Sequence, residues 1–105
     1  MIREPTFFIL AALARSPLHG YAILKSIARL SDERVALRPG TLYAALDRLL
    51  REGALAVDGE EVVDGRLRRR YRLTRAGRAM LRAETGRLES NAAIGRAQLA
   101  RVARS

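Results

Sequence analysis

The amino-acid sequence predicts a small, mostly α-helical protein that carries one β-hairpin. Apolar residues in the N-terminal half recur at three- and four-residue steps, which is the periodicity of helices. An Asp64-Gly65 dipeptide separates two stretches of alternating side chains, a typical signal of a tight hairpin turn. Thr74 then provides a helix cap before a stretch with a seven-residue repeat of small and apolar residues.

Two helices are predicted within the first thirty residues. Pro5 suits the first turn of a helix that ends before Ser16. The second helix is predicted from about His19 to Leu30, because its apolar residues fall at helical spacing. His19 is the single histidine, and we expect it to make a local hydrogen bond at the start of this helix. Residues Val35–Leu37 are predicted to form a very short strand.

A third helix is predicted from Pro39 to about Glu52, with Gly53 as a favourable C-terminal residue. One face of this helix is apolar and carries Leu42, Ala45, Leu46 and Leu49. At 3.6 residues per turn the opposite face is exposed and more polar. It presents Tyr43, Ala44, Asp47, Arg48 and Arg51, and both arginines are expected to point outward.

The hairpin has an arginine-rich return strand. Residues 55–63 lead to the Asp64-Gly65 turn, and residues 68–73 return antiparallel. Because side chains alternate in a strand, Tyr71 and Leu73 are expected on the core, and Arg68, Arg70 and Arg72 on the outside. A guanidinium group is permanently charged, and its planar donors match phosphate oxygens. The hairpin is therefore predicted to grip phosphate; the alternative is a solvated charged strand.

The last helix is predicted to run from Thr74 close to Ser105, which is too long for so small a core. A weak coiled-coil-like seam follows it, formed by Leu81, Thr85, Leu88, Ala92, Gly95, Leu99 and Val102. We expect a second copy of the chain to cover this seam, with dimer contacts from Leu81, Leu88, Ala92, Leu99 and Val102. Alternatively, the helix packs on the protein's own N-terminal helix or frays after Asn91. The predicted organisation is one structural unit, with residues 1–75 as the main domain and 76–105 as the dimerisation helix.

Composition narrows the function. The 105 residues carry a formal net charge of +9, and 49% of them are hydrophobic. A basic surface attracts polyanions, nucleic acid first and acidic membrane second. The chain has no cysteine, so disulfides, thiolate zinc sites and cysteine nucleophiles are excluded. No signal peptide or membrane-spanning run is evident, so we expect a cytoplasmic protein without a membrane partner. No catalytic residue, metal site or cofactor is predicted, and hence no enzyme.

Three short helices followed by a hairpin indicate a winged helix-turn-helix. In this arrangement the third helix enters a DNA major groove about 12 Å wide, and the hairpin lies against neighbouring backbone or minor groove. Asp47 is open to two interpretations, because it could accept a hydrogen bond from a cytosine amine or orient Arg51 at the i+4 position. The predicted DNA-binding residues are Tyr21, Lys25, Arg38, Gly40, Thr41, Tyr43, Arg48, Arg51, Arg66, Arg68, Arg69 and Arg70.

Three sets of motifs resemble the PadR-like transcriptional regulators. They are Leu18–Ile23; Pro39–Leu46 with Arg48-Leu49 and Glu52-Gly53; and Gly65-Arg66 with Arg70–Thr74 and Gly77-Arg78. They occur in the family's order and fall within roughly residues 5 to 82. The resemblance implies a homodimer, of the branch with a single C-terminal helix, that binds a short inverted repeat in bacterial DNA. It also implies a repressor relieved by a small molecule or by stress. Arg38 stands where family members often carry a serine cap. Some short members bind flat drugs between tryptophans, which this chain lacks.

Two other functions fit the same elements. A winged helix can serve as a protein-interaction module, which would bind DNA no more tightly than any basic protein. A nucleoid-type architectural protein would bind DNA tightly without a preferred operator. Competition with random DNA separates the second alternative from an operator-binding regulator.

Overall fold

The computed structural model describes residues 1–104, which form four helices and a three-stranded antiparallel sheet. This confirms the predicted fold class. The sheet order is β1-β3-β2, with β3 in the centre. In chain order the elements are α1 (Glu4–Ala12), β1 (Leu18–His19), α2 (Gly20–Leu30), α3 (Pro39–Arg51), β2 (Leu55–Val63), β3 (Arg66–Leu73) and α4 (Arg75–Arg104).

Local signals account for the helix boundaries. Pro5 lies in the first turn of α1, where its missing N–H is not needed. The Nδ1 atom of His19 accepts a hydrogen bond from the Ala22 N–H at 3.3 Å, so His19 caps α2 as predicted. Arg38 precedes α3 without a side-chain capping bond. Gly53 follows α3 with a φ of 77°, a left-handed conformation that glycine adopts without strain.

One core joins the helices to the inner face of the sheet. The apolar stripe of α3 is confirmed, because Leu42, Leu46 and Leu49 are fully buried. From the sheet, Tyr71 and Leu73 point into the same core, as the alternation predicted. The other buried apolar residues are Ile9, Leu10, Ala12, Leu13, Ile23, Ile27, Val35, Ala54 and Leu55.

The hairpin has the predicted turn and one irregularity. Asp64 and Gly65 have φ angles of 51° and 75°, which fits a two-residue turn with both central residues left-handed. The β2–β3 register shifts between Val57 and Glu60. This bulge leaves the carbonyl and carboxylate of Asp58 free to bind arginine side chains of β3.

The predicted strand at Val35–Leu37 is wrong. The Ser31 hydroxyl bonds to both the N–H and the carbonyl of Val35, at 2.9 and 3.3 Å. These side-chain hydrogen bonds satisfy the N–H and carbonyl groups of Val35, which a neighbouring strand would otherwise bind. The third strand is β1, where Leu18 pairs with Tyr71 and His19 pairs with Arg70.

The start of α4 is locked onto the rest of the fold. The Thr74 hydroxyl donates to the Gly53 carbonyl at 2.5 Å and accepts from the Gly77 N–H at 3.1 Å. Gly77 lies against the backbone of Ala54, so closely that a Cβ atom would collide with the Ala54 carbonyl oxygen. The absence of a side chain at Gly77 therefore permits the first turn of α4 to lie against the backbone between α3 and β2.

Only the first part of α4 packs on the protein's own core. Leu81 is half-buried against the core, so the seam begins with an intramolecular contact rather than a fully free residue. Beyond it, Leu88 is 43% exposed, and Leu99 and Val102 are each 71% exposed. The helix is continuous from Arg75 to Arg104, which does not fit the alternative that it frays after Asn91. Because the later seam residues are exposed, packing on the protein's own core is limited to the start of the seam.

A buried acidic group joins α4 to the N-terminus. Glu84 is only 6% exposed, and its carboxylate accepts two hydrogen bonds from the Arg87 guanidinium, one of them at 2.9 Å. These bonds, together with a hydrogen bond from the Ile2 backbone, lower the pKa of Glu84 below its usual value of 4.5. The Glu84–Arg87 pair lies within α4, and the Ile2 backbone beside Glu84 connects this part of the helix to the segment before α1.

We expect Gly77→Ala to destabilise the protein, because the new methyl group would force α4 away from the Ala54 backbone. Overpacking of this kind costs about 1–3 kcal/mol. Gly86→Ala is the matched control, since a Cβ at Gly86 meets nothing within 4 Å and alanine favours helix by about 0.5–1 kcal/mol. Thermal unfolding should show a lower Tm for the first variant and a higher one for the second. Equal Tm values would contradict the proposed close approach.

The Glu84 carboxylate should make stability depend on pH. Because its pKa is lower in the folded protein, its contribution is present above about pH 4.5 and is lost as the pH falls through the lowered value. Glu84→Gln should therefore reduce Tm at neutral pH, and its Tm should approach that of the wild type in acid. Glu89→Gln, at an exposed position of the same helix, should leave Tm unchanged. A pH-independent difference for Glu84→Gln would contradict this role.

Candidate nucleic-acid interface

The exposed face of α3 is held by the buried leucine stripe beneath it. Gly40, Thr41, Tyr43, Asp47 and Arg51 are all exposed along this face. The first backbone N–H groups of the helix have no side-chain cap, and free N–H groups at a helix start favour an anion. The face therefore offers backbone N–H groups that can donate hydrogen bonds to phosphate, and side chains that can contact base edges.

Tyr43 joins α3 to the start of α2. A Cβ atom at Gly20 would collide with the hydroxyl and ring of Tyr43, so glycine at position 20 makes room for this aromatic ring. Tyr43 remains 38% exposed. It therefore packs against Gly20 with one part of its ring and is accessible to solvent with the rest. On α2, the Lys25 ammonium lies 5.3 Å from the ring centroid of exposed Tyr21, a cation–π contact that leaves the lysine charge uncompensated.

The Arg48 side chain is 43% exposed, but neighbouring side chains also hold its guanidinium group. Its guanidinium donates to the Thr6 hydroxyl at 2.9 Å and forms an ion pair with Glu52 at 3.3 Å. The side chain therefore bridges α3 to α1, and its charge is partly neutralised. Arg48 lies at the edge of the exposed face, from which its long side chain reaches the neighbouring helix.

The arginines of β3 divide between two faces of the hairpin. Arg70 donates to the Asp58 carbonyl at 3.1 and 3.2 Å and lies 3.5 Å from its carboxylate. Arg72 also lies 3.5 Å from the Asp58 carboxylate. Arg70 thus lies on the outer face, opposite Tyr71, where the Asp58 bulge also holds it. Arg66 and Arg68 share this face by alternation, and they form no ion pair with any described residue.

Arg69 lies on the opposite face, beside Tyr71. Burial raises the pKa of the Tyr71 hydroxyl above its usual value of 10, and the adjacent Arg69 guanidinium opposes this shift. Tyr43 and Asp47 act on the same hydroxyl and raise its pKa further. Charges on α3 and on the hairpin therefore both act on the Tyr71 hydroxyl. The sequence contained this signal, because side chains alternate along a strand and Arg69 therefore shares the face of Tyr71, whereas Arg68 and Arg70 share the other face.

Several basic side chains remain available for anions. Within residues 1–104, no ion pair joins a carboxylate to Lys25, Arg38, Arg51, Arg66, Arg68 or Arg69. The same residues include no group of three or more histidine, aspartate or glutamate side chains that could hold a metal ion. None of the described helices is long and apolar enough to cross a bilayer.

Comparison with known proteins places this arrangement in a family. A family model described as the transcriptional regulator PadR-like family matches residues 9–83. The transcriptional regulator Rv3488 of Mycobacterium tuberculosis is 44% identical over 81 residues, which cover 77% of this chain and 72% of that protein. An uncharacterized 37.1 kDa protein in transposon TN4556 of Streptomyces fradiae is 45% identical over 81 residues, which are only 22% of its length.

Solved structures show the same fold. A transcriptional regulator from Clostridium thermocellum is similar at a TM-score of 0.72 with 26% identity, over 85% of this chain and 86% of that one. Bacillus subtilis PadR in complex with operator DNA is similar at a TM-score of 0.70 with 21% identity, over 81% of this chain and 48% of that one. Family regulators are not enzymes, which agrees with the sequence prediction. From the matched residues and the shared fold, we conclude that this chain belongs to the PadR-like family of transcriptional regulators.

Proposed function

We propose that the protein is a homodimeric regulator that binds an inverted-repeat DNA operator through α3 and the β2–β3 hairpin. The observation that carries this proposal is the junction of α2, α3 and the hairpin around Tyr43. There the Tyr43 ring packs against Gly20 at the start of α2, and Tyr71 of the hairpin is buried in the same core as the leucine stripe of α3. The fold is shared with a PadR protein solved on operator DNA, which supports the same use of these elements here.

Affinity and specificity would come from different side chains. Lys25, Arg66 and Arg68 are exposed or half-exposed cations suited to phosphate contacts, which supply affinity without sequence information. Tyr43 and Arg51 project from α3, where a major groove would admit them to base edges. Arg48 and Arg70 would contribute less than predicted from the sequence, because Glu52 and Asp58 already hold them.

The proposed dimer forms through α4. The seam from Leu88 to Val102 is apolar at intervals and exposed in a single chain, and a second α4 would bury it. Two copies would then present two α3 helices to half-sites about one helical turn, or roughly 34 Å, apart. An inverted repeat in the operator would mirror the twofold symmetry of the protein.

We further infer a repressor in the bacterial cytoplasm, relieved by a small molecule or by a stress signal. A ligand seated between the two α4 helices could alter the spacing of the α3 helices. It can do so only if it binds the two arrangements with different affinity. A chain without tryptophan would need another surface to hold a flat aromatic ligand.

The DNA upstream of this protein's own gene is the first fragment to test. We expect gel shifts with this fragment at protein concentrations that leave random DNA of equal length unbound. If a dimer neutralises ~6–8 phosphates, log K should fall against log salt with a slope of about −5 to −7. Equal binding to random DNA would instead favour an architectural protein, and a slope near zero would exclude binding through phosphates.

The hairpin cations should act on all DNA alike. Replacing Arg66 and Arg68 together by alanine should weaken specific and random DNA equally, and reduce the salt slope by about one for each phosphate that is no longer neutralised. The control replaces Arg3 and Arg82, which lie before α1 and on α4, and removes the same charge. Equal effects of the two double variants in a salt titration would show that only net charge matters.

The α4 seam should control assembly. Leu99→Arg should place a charge in the proposed interface and shift the protein toward monomer in sedimentation velocity at micromolar concentration. Ile94→Arg is the control, because Ile94 is similarly exposed (61%) but lies off the seam by helical geometry. Dimerisation that survives Leu99→Arg and fails with Ile94→Arg would place the interface on another face of α4.

A further inference from the structure

An uncompensated carboxylate stands on the exposed face of α3. Asp47 is exposed, one turn after Tyr43 and one turn before Arg51. In the part of the chain that the structure describes, it forms no hydrogen bond and no ion pair. Neither Arg51, one turn along the helix, nor Arg69 of the hairpin forms an ion pair with it. The interpretation that Asp47 orients Arg51 is therefore unsupported in the free protein.

Other acidic residues of α3 and the hairpin do form ion pairs. Asp58 is held by Arg70 and Arg72 of the hairpin. Glu52, at the end of α3, is paired with Arg48. Asp47 is thus the carboxylate that α3 itself would carry, without a partner, toward a DNA duplex.

Such a carboxylate weakens binding unless DNA offers it a donor. Phosphates repel it, and the major-groove edge of guanine presents acceptors only. Adenine has an amine, but the acceptor N7 beside that amine repels a negative oxygen. Cytosine presents its N4 amine without an acceptor of its own on the same edge. Cytosine is therefore the base whose major-groove edge suits a carboxylate best.

We propose that Asp47 reads a cytosine in each half-site of the operator and thereby determines specificity at that position. This inference rests on the proposed function, since it requires α3 to enter the major groove. Arg51, one turn along the helix and without an ion pair, remains free to contact a neighbouring guanine. Asp47 would contribute discrimination while reducing the affinity for DNA in general.

The test is selection of bound sequences from a random DNA library, followed by measurement of Kd on the selected sites. The wild type should select a cytosine at one symmetric position. Asp47→Asn should shift that preference to adenine, whose N6 and N7 suit an amide, by about 5- to 100-fold in relative affinity. Asp47→Ala should lose the preference there, keep it elsewhere, and bind random DNA more tightly because a negative charge has been removed.

Asp32→Asn is the matched control. It makes the same chemical change at an exposed position outside α3 and the hairpin, where asparagine tolerates the φ of 54°, and it should alter no base preference. Unchanged Tm values would show that all variants fold. If Asp47→Asn and the wild type select identical sequences, the proposal for Asp47 is overturned while the operator-binding function stands. If the wild type selects no sequence, that result contradicts the proposed operator-binding function, and with it the proposed role of Asp47.

Discussion

The register of β3 is the constraint on which the interface depends. This central strand pairs on both sides and buries Tyr71 and Leu73 in the core. A shift of one residue would turn every side chain to the other face, exposing both apolar anchors and burying arginines. The core therefore fixes which guanidinium groups face Asp58 and which one shares the face of Tyr71. Charge placement on the hairpin is a consequence of apolar packing.

Net charge alone gives a poor description of this surface. Ion pairs hold Arg48, Arg70, Arg72 and Arg87. The pairs of Arg70 and Arg72 join the two strands of the hairpin, and those of Arg48 and Arg87 are local to α3 and α4. Other cations of α2, α3 and the hairpin lack such partners and remain available to an anion. The protein thus divides its arginines between structural contacts and a surface for polyanions. Sequence composition counts both groups equally.

Much of the fold was predictable because it depends on local signals. The Asp64-Gly65 turn, the cap at His19 and the leucine stripe of α3 each act within a few residues. What failed required tertiary information. The two-residue strand β1 is defined only by its pairing with β3, and Val35–Leu37 lacks a strand partner because Ser31 satisfies it. Arg48 reaches Thr6 across 42 positions, a contact that no spacing rule predicts.

The close approach of Gly77 to Ala54 also determines the point about which α4 could tilt relative to the rest of the fold. From this contact α4 extends about 40 Å to its far end, within a molecule 63 Å long. A tilt of about 5° at Gly77 displaces that end by about 3.5 Å. The helix is thus a lever whose pivot bears directly on the backbone between α3 and the hairpin. A molecule that binds the distal half of α4 would therefore act through this pivot on the positions of α3 and the hairpin.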